Sequence, residues 1–178
     1  LNFIKTVHEA GCNTFIIHAR KAWLKGLSPK ENRDIPPLNY ERVLELKKLM
    51  PNLNISINGG IKTLEHAKEL LTQLDGVMIG RAAYENPWML KEADSLIYNT
   101  QDPIWKNRKE LLTAYLPYVE QELSQGCPLT IITRHLSSLF NGIPGSRKYR
   151  QMLSEQAPKA KDGVELLQKA MAFVEEIG

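Results

Sequence analysis

Three short apolar runs alternate with helical patterns in the first half of the chain, and each run is followed by polar or glycine-rich residues. The apolar runs predict strands over 13–18, 54–58 and 76–79. Apolar residues repeat with helical spacing over 2–10, 40–50 and 63–74. This order predicts an α/β fold with a parallel sheet, right-handed crossovers and both sheet faces buried. Such strands fit part of a barrel or part of a doubly wound sheet, and periodicity does not separate the two.

The pattern changes after Tyr98. Residues 99–103 form a polar linker, and no strand-like run follows it. Apolar stripes predict helices over 109–125, 128–141, 146–155 and 162–177. We therefore expect an α/β part over 1–98 and a small all-α bundle over 104–178.

Composition and cysteine spacing exclude several classes of protein. With 43% hydrophobic and 24% charged residues, the chain is expected to fold. No apolar run approaches the roughly 18 residues of a membrane span. Cys12 and Cys127 lie far apart, so we expect no metal site, no disulfide framework and a cytoplasmic protein. The net charge of +3 decides nothing about partners. The sequence does not reveal the oligomeric state.

All three predicted strands end in signals typical of a ligand site. His18 ends the first strand, Asn58–Gly60 the second, and Gly80 with Arg81 follows the third. Ligands of parallel α/β folds lie beyond the carboxyl ends of the strands. Glycines before a helix, together with a guanidinium, suit a phosphate group. We expect a phosphorylated cofactor at this edge. For each residue by itself, the alternative is a turn glycine, a helix cap or a core histidine.

Two basic segments favour a polyanionic partner. Residues 20–34 carry five basic residues against two acidic ones and follow the first strand as a long loop. A second cluster lies in the helical part, where helical spacing brings Arg147 and Arg150 to one face. Aromatic residues between the basic ones, such as Trp23, suit the unstacked bases of folded RNA. A solvated charged surface is the alternative for either cluster by itself.

The motifs together resemble the second half of the FMN-dependent tRNA-dihydrouridine synthases of the A type. The resemblance covers essentially the whole chain, and its main motifs are His18–Arg33, Ile57–Ile61, Asp75–Arg81, Ala83–Pro87 and Phe140–Arg147. It implies the last three strands of a TIM (β/α)8 flavin barrel, followed by a helical tRNA-binding domain.

The resemblance also implies roles for individual residues. The expected FMN contacts are His18, Asn58, Gly59, Gly60, Gly80 and Arg81. The expected tRNA contacts are Lys30, Arg33, Arg147 and Arg150. In the family, NADPH reduces the flavin, which passes hydride to C6 of a D-loop uridine at position 20 or 20a. A cysteine then protonates C5, and the product is 5,6-dihydrouridine.

The family's catalytic cysteine and a flavin-contacting lysine belong to the first half of the barrel. The chain begins at Leu1 within a helical pattern that has no capping residue. We interpret the chain as a piece of a longer protein that is inactive by itself. A short natural paralogue is the alternative.

Two rival functions remain at this point. Another FMN barrel, such as a dihydroorotate-dehydrogenase-like oxidoreductase, shares glycine-rich phosphate loops but does not need the basic segments. A non-catalytic RNA-binding module would use the α/β part only as support. Bound flavin distinguishes both enzymes from the module, and analysis of the tRNA product distinguishes the two enzymes.

Overall fold

The computed structural model describes residues 1–175. The first part of the described chain forms a parallel sheet of three strands in the order β1–β2–β3. The strands are β1 Thr14–His18, β2 Asn54–Asn58 and β3 Gly76–Met78. The helices beside them are α1 Asn2–Glu9, α2 Tyr40–Leu49 and α3 Leu64–Leu71. The predicted alternation of strands and helices is confirmed.

Local sequence signals explain where these helices begin. The Asn39 side chain accepts a hydrogen bond from the Arg42 N–H at 2.9 Å and caps α2. Thr63 caps α3 in the same way through the His66 N–H at 3.2 Å. The predicted cap at Thr63 is therefore confirmed. The helix it begins ends at Leu71, three residues short of the predicted end at 74.

The sheet buries one face only, and the prediction that both faces are buried is wrong. Ile55 and Ile57 of β2 are fully buried in a core shared with α1, α2 and α3. On the other face, Ile16 is 60% exposed and Met78 is 47% exposed. The reason is topological. Right-handed crossovers between strands added in one direction place their helices on one side of the sheet.

Further helices follow β3. They are α4 Arg81–Glu85, α5 Ala93–Tyr98, α6 Arg108–Ser124, α7 Leu129–Leu136, α8 Ser146–Gln156 and α9 Gly163–Met171. A 3₁₀ turn, Pro87–Glu92, lies between α4 and α5. The sequence suggested a helix start at Arg81 but gave no bounds for the helices over 81–98, because segments of five or six residues are too short for a helical period to be recognised.

Two helix predictions in the last part of the chain differ from the structure. The helix predicted over 128–141 ends at Leu136. The turns after it lead to Gly145, whose φ of +84° favours glycine. The helix predicted over 162–177 is helical over Gly163–Met171, and residues 176 and 177 lie outside the described residues.

The chain divides into two compact units. The first comprises Leu1–Ala82 with Leu96–Tyr98, and the second comprises Ala83–Ser95 with the residues from Asn99 onward. Residues 83–95 therefore group with the second unit, earlier than the polar linker at 99–103. The linker itself stays a prediction of the domain boundary.

The second unit has an apolar core of its own. Its fully buried residues include Leu112, Val119, Phe140, Tyr149 and Leu167. The rings of Phe140 and Tyr149 meet edge to face at 4.8 Å, and burial raises the pKa of Tyr149. The apolar stripe predicted on α6 therefore faces the core of the second unit. No helix within residues 1–175 is both long and apolar enough to cross a membrane.

Candidate functional site

The carboxyl ends of the strands bring the predicted ligand residues together. His18 pairs with Asn58 in the β1–β2 register, and Asn58 pairs with Met78 in the β2–β3 register. The Asn58 side-chain amide donates to the Met78 carbonyl at 2.8 Å, which fixes its orientation across the strand ends. Gly80 and Arg81 follow β3 directly. The predicted convergence at one edge of the sheet therefore exists in the first unit.

His18 is held against a glycine. The Arg20 N–H donates to His18 Nδ1 at 3.0 Å, which fixes the orientation of the ring. Gly59 has a φ of +118°, and a Cβ there would lie 3.1 Å from His18 Cε1 and 3.2 Å from Leu38 Cδ2. Only glycine allows both this backbone conformation and the close approach of the two side chains.

Gly60 continues the turn, and Tyr40 braces it. Gly60 has a φ of +71°, and a Cβ there would overlap the Leu38 side chain. The Tyr40 hydroxyl donates to the Gly59 carbonyl at 2.7 Å. Burial raises the pKa of Tyr40, so the hydroxyl stays a donor at neutral pH. Two successive left-handed glycines thus form a rigid turn before α3.

Arg81 begins α4 and reaches back to the segment after β1. Its Nη1 donates to Asp34 Oδ1 at 2.9 Å, and its Nη2 donates to the Arg33 carbonyl at 3.2 Å. The hydrogen bond from Arg81 holds the pKa of Asp34 below its ordinary value. Both side chains remain more than half exposed, at 54% for Arg81 and 59% for Asp34. The helix has five residues, so any attraction for an anion comes mainly from the guanidinium.

The basic segment predicted at 20–34 continues to residue 38 and forms one loop between β1 and α2, called here the basic loop. Arg20 begins the loop and donates to the carbonyls of Asp34, at 2.9 Å, and Pro36. The main chains of Arg20 and Leu38 form an isolated antiparallel bridge. The end of the loop is thereby tied to the strand ends, and Lys30 is exposed on it. Arg33, also exposed, is brought next to Arg81 through its carbonyl.

Sequence reasoning did not identify Asp34, Leu38 or Tyr40 as part of this site. A weak signal existed for Asp34, since it is one of two acidic residues in a strongly basic segment. An acidic residue in such a segment often has a fixed basic partner. Leu38 and Tyr40 gave no signal, because a half-buried leucine and tyrosine beside a helix start suggest only packing.

Arg147 and Arg150 lie on α8 in the second unit, which is described by itself. Both are exposed. Arg150 Nη1 donates to Asn141 Oδ1 at 2.8 Å, and Asn141 Nδ2 donates to the Glu85 carbonyl at 2.8 Å. Arg150 therefore has a structural partner within its unit. Its contact with tRNA stays a prediction.

The chemistry open to the site is that of binding and orientation. Within residues 1–175, no group of three or more His, Cys, Asp or Glu residues is arranged to hold a metal ion. The carboxyl ends of the three strands, called here the strand-end edge, instead offer a histidine, an amide, a guanidinium and a glycine turn. Beside Gly80, a Cβ would meet nothing within 4 Å, so this edge is open. These groups suit an anionic, partly polar ligand.

Comparison with known proteins gives one consistent result. The family described as Dihydrouridine synthase (Dus) matches residues 1–176. The tRNA-dihydrouridine(20/20a) synthase of Yersinia pestis is 54% identical over 173 residues, which cover 97% of this chain and 50% of the relative. The proteins of the same name from Pasteurella multocida (strain Pm70) and Vibrio cholerae serotype O1 are 52% and 50% identical. The alignments cover 97% and 99% of this chain, and 52% and 54% of those relatives.

The chain thus spans about half the length of the curated relatives it matches. The family match extends over both structural units, from the strand-end edge to the helices of the second unit. The chain belongs to the dihydrouridine synthase family.

Proposed function

We propose that this chain is the C-terminal part of an FMN-dependent tRNA-dihydrouridine synthase. The whole protein would reduce uridine at positions 20 and 20a of the tRNA D-loop to 5,6-dihydrouridine, with NADPH as the reductant. Family membership and the names of the relatives support this reaction and substrate. The observation that carries the proposal is that His18, Asn58 and Arg81 lie at or just beyond the carboxyl ends of three paired strands. Parallel α/β enzymes bind their cofactors at this edge.

The one-sided sheet supports a place in a (β/α)8 barrel. In a barrel all helices lie outside, and the inner face of the strands meets side chains of the other strands. The exposed Ile16 and Met78 lie on the face that would form the barrel interior. A groove of about 610 Å³ along the free edge of β1 is lined by apolar residues such as Phe3 and Leu49 and by charged ones such as Arg42. In a complete barrel, the β/α unit beside the free edge of β1 would cover this groove.

The strand-end residues fit the phosphate end of FMN. Gly59 is buried against His18 and Leu38 and shapes the turn, whereas Gly60 and Gly80 are exposed and the space beside Gly80 is open. The Arg81 guanidinium, only partly engaged by Asp34, has further N–H groups for a phosphate. His18 and Asn58 offer polar groups at the same edge.

When bound, FMN supplies the hydride that reduces the uracil ring. The residues of this chain would bind and orient it. Arg81 would neutralise the phosphate charge, and Asn58, fixed by the Met78 carbonyl, would present its amide in one orientation. The proton donor, a cysteine in this family, would come from the rest of the whole protein.

The tRNA would contact both units. Lys30 and Arg33 lie on the basic loop next to the strand-end edge, and Arg147 and Arg150 lie on α8. Basic side chains that neutralise phosphates release counterions, so their contribution to binding falls with salt concentration. This dependence separates phosphate contacts from contacts to bases.

The function is tested by incubating the whole protein with an unmodified tRNA transcript and NADPH. Nuclease digestion and mass spectrometry should show a gain of two hydrogen atoms at positions 20 and 20a. Flavin released from the purified protein should be FMN. A protein that carries FMN and oxidises dihydroorotate but leaves tRNA unchanged would overturn the proposal in favour of the other barrel enzyme. A protein that binds tRNA without flavin would be an RNA-binding module.

A further inference from the structure

The tip of the basic loop, around Trp23 and Leu24, presents two apolar side chains to solvent. Trp23 is 45% exposed and Leu24 is 95% exposed. Neither belongs to the apolar core of the first unit or to the residues packed against it. The tip follows the carboxyl end of β1, so it extends from the same edge of the sheet as the candidate cofactor site.

Hydrogen bonds hold the main chain of this tip in place. The Trp23 N–H donates to Asn32 Oδ1 at 2.7 Å, and Asn32 Nδ2 donates back to the Trp23 carbonyl at 2.9 Å. The Ser28 N–H donates to Glu31 Oε2 at 2.8 Å, and the Glu31 N–H donates to Ser28 Oγ at 3.3 Å. This reciprocal pair is a capping box that fixes the return of the loop. The indole and the leucine are thus displayed on a preordered support, which lowers the entropy cost of binding.

The surroundings of the tip are basic. Lys21, Lys25 and Lys30 are all exposed on the same loop. The two acidic residues of the loop, Glu31 and Asp34, are each held by a hydrogen-bonding partner within the unit. Covering this tip with protein would desolvate several like charges, whereas a polyanion would neutralise them.

We propose that Trp23 and Leu24 receive an unpaired base of the RNA substrate, with the indole stacked on the base and Leu24 packed beside it. The inference rests on the proposed function and names one contact within it. Proteins read RNA mainly through unstacked bases in loops, and an aromatic side chain accepts any base because each has a π-face. Lysines around the indole would hold the neighbouring phosphates.

The test is tRNA binding by the whole protein, measured by fluorescence anisotropy at several salt concentrations. Trp23→Ala should weaken binding about fivefold to 150-fold, which corresponds to the loss of one stacked base. The dependence of affinity on salt should not change, because no phosphate contact is removed. Trp23→Phe should keep most of the affinity, since a phenyl ring also stacks. The matched control is Tyr98→Ala, which removes a 71% exposed aromatic ring of the same unit and should change nothing.

Three results separate failure of this inference from failure of the proposed function. If wild-type protein does not bind tRNA, the proposed function and the inference both fail. If it binds and folded Trp23→Ala binds equally well, the inference alone is overturned. Acrylamide quenching, compared between wild type and Trp23→Phe, reports the exposure of the indole without RNA. An indole that is protected before RNA is added lies under another part of the protein, which also overturns the inference.

Discussion

Arg81 is the residue for which the proposed cofactor site predicts the largest single effect. Its guanidinium donates to Asp34 Oδ1 and to the Arg33 carbonyl. Arg81→Ala in the whole protein therefore removes two things, the proposed phosphate contact and the tether of the basic loop. Asp34→Asn weakens the tether but keeps the guanidinium. The two substitutions together separate the roles.

The size of the effect follows from the kind of contact. A hydrogen bond to a charged group contributes about 1.5 to 3 kcal/mol. The Arg81 side chain is 54% exposed, so solvent screening favours the lower end of that range. A loss of about 1.5 kcal/mol corresponds to a roughly tenfold higher Kd for FMN. Arg81→Lys should fall between wild type and Arg81→Ala, because an ammonium keeps the charge but not the planar fork.

The assay is flavin retention after dialysis, followed by titration of the apoprotein with FMN for wild type, Arg81→Ala, Asp34→Asn and the double variant. We expect Asp34→Asn to change flavin affinity less than Arg81→Ala, and the double variant to resemble Arg81→Ala. Equal flavin retention in wild type and Arg81→Ala would show that Arg81 serves only the loop. Equal losses in the two single variants would refute direct phosphate binding as well, because the tether would then account for the whole effect.

Three further predictions concern the Arg81–Asp34 pair, the turn at Gly60 and the arginines of α8. Since the Arg81 hydrogen bond lowers the pKa of Asp34, the tether should be present at neutral pH and weaken only as pH falls below the ordinary carboxyl value of 3.8. An NMR titration should give a carboxyl pKa below that value in wild type and a return toward it in Arg81→Ala, and no difference would contradict the ion pair. Gly60→Ala should destabilise the protein by roughly 1 to 2 kcal/mol in urea unfolding, because its φ of +71° strains an L-residue. Adding Leu38→Ala removes the overlap between the new Cβ and the Leu38 side chain but should not restore the free energy of unfolding. Full restoration would mean that this overlap, and not the backbone conformation, causes the loss. Replacing both Arg147 and Arg150 by Ala should reduce the salt dependence of tRNA binding by about one to two units without changing FMN content. Identical salt dependence in wild type and the double variant would show that these arginines do not contact tRNA phosphates. Asn141→Ala removes the partner of Arg150 and tests the structural role of that arginine separately.

Much of the first unit was predictable because its signals are local. The strand β2 matches its predicted bounds of 54–58, since isoleucines that alternate with polar residues between turn signals have few alternatives. The cap at Thr63 was predictable for the same reason. The placement of His18, Asn58 and Arg81 at the carboxyl ends of neighbouring strands followed from topology alone, because parallel strands end at a common edge.

The contacts that organise the site were not predictable from pattern. The bond from Arg81 to Asp34 joins residues 47 positions apart, and no periodicity encodes such a pair. The bond from Tyr40 to Gly59 depends on how α2 packs on the turn after β2. The exposed face of the sheet was missed for a different reason. Ile16 and Met78 are apolar, and composition does not show whether an apolar residue faces its own core or another segment.

The exposed apolar surface beside β1 limits what this chain can do alone. Phe3, Ile16 and Leu49 are between 60% and 74% exposed, and all three line the groove beside β1. Large apolar side chains gathered on one side of a unit mark a surface that is covered in the working protein. If the covering part is the rest of the flavin barrel, it also supplies the far wall of the cofactor site, since the inner face and the strand-end edge adjoin at His18 and Asn58. The phosphate end of the site would then belong to this chain and the reacting ring would lie mostly against the other part. A phosphate contact by itself recovers only a fraction of the binding energy of a buried cofactor, so we expect this chain alone to hold FMN weakly.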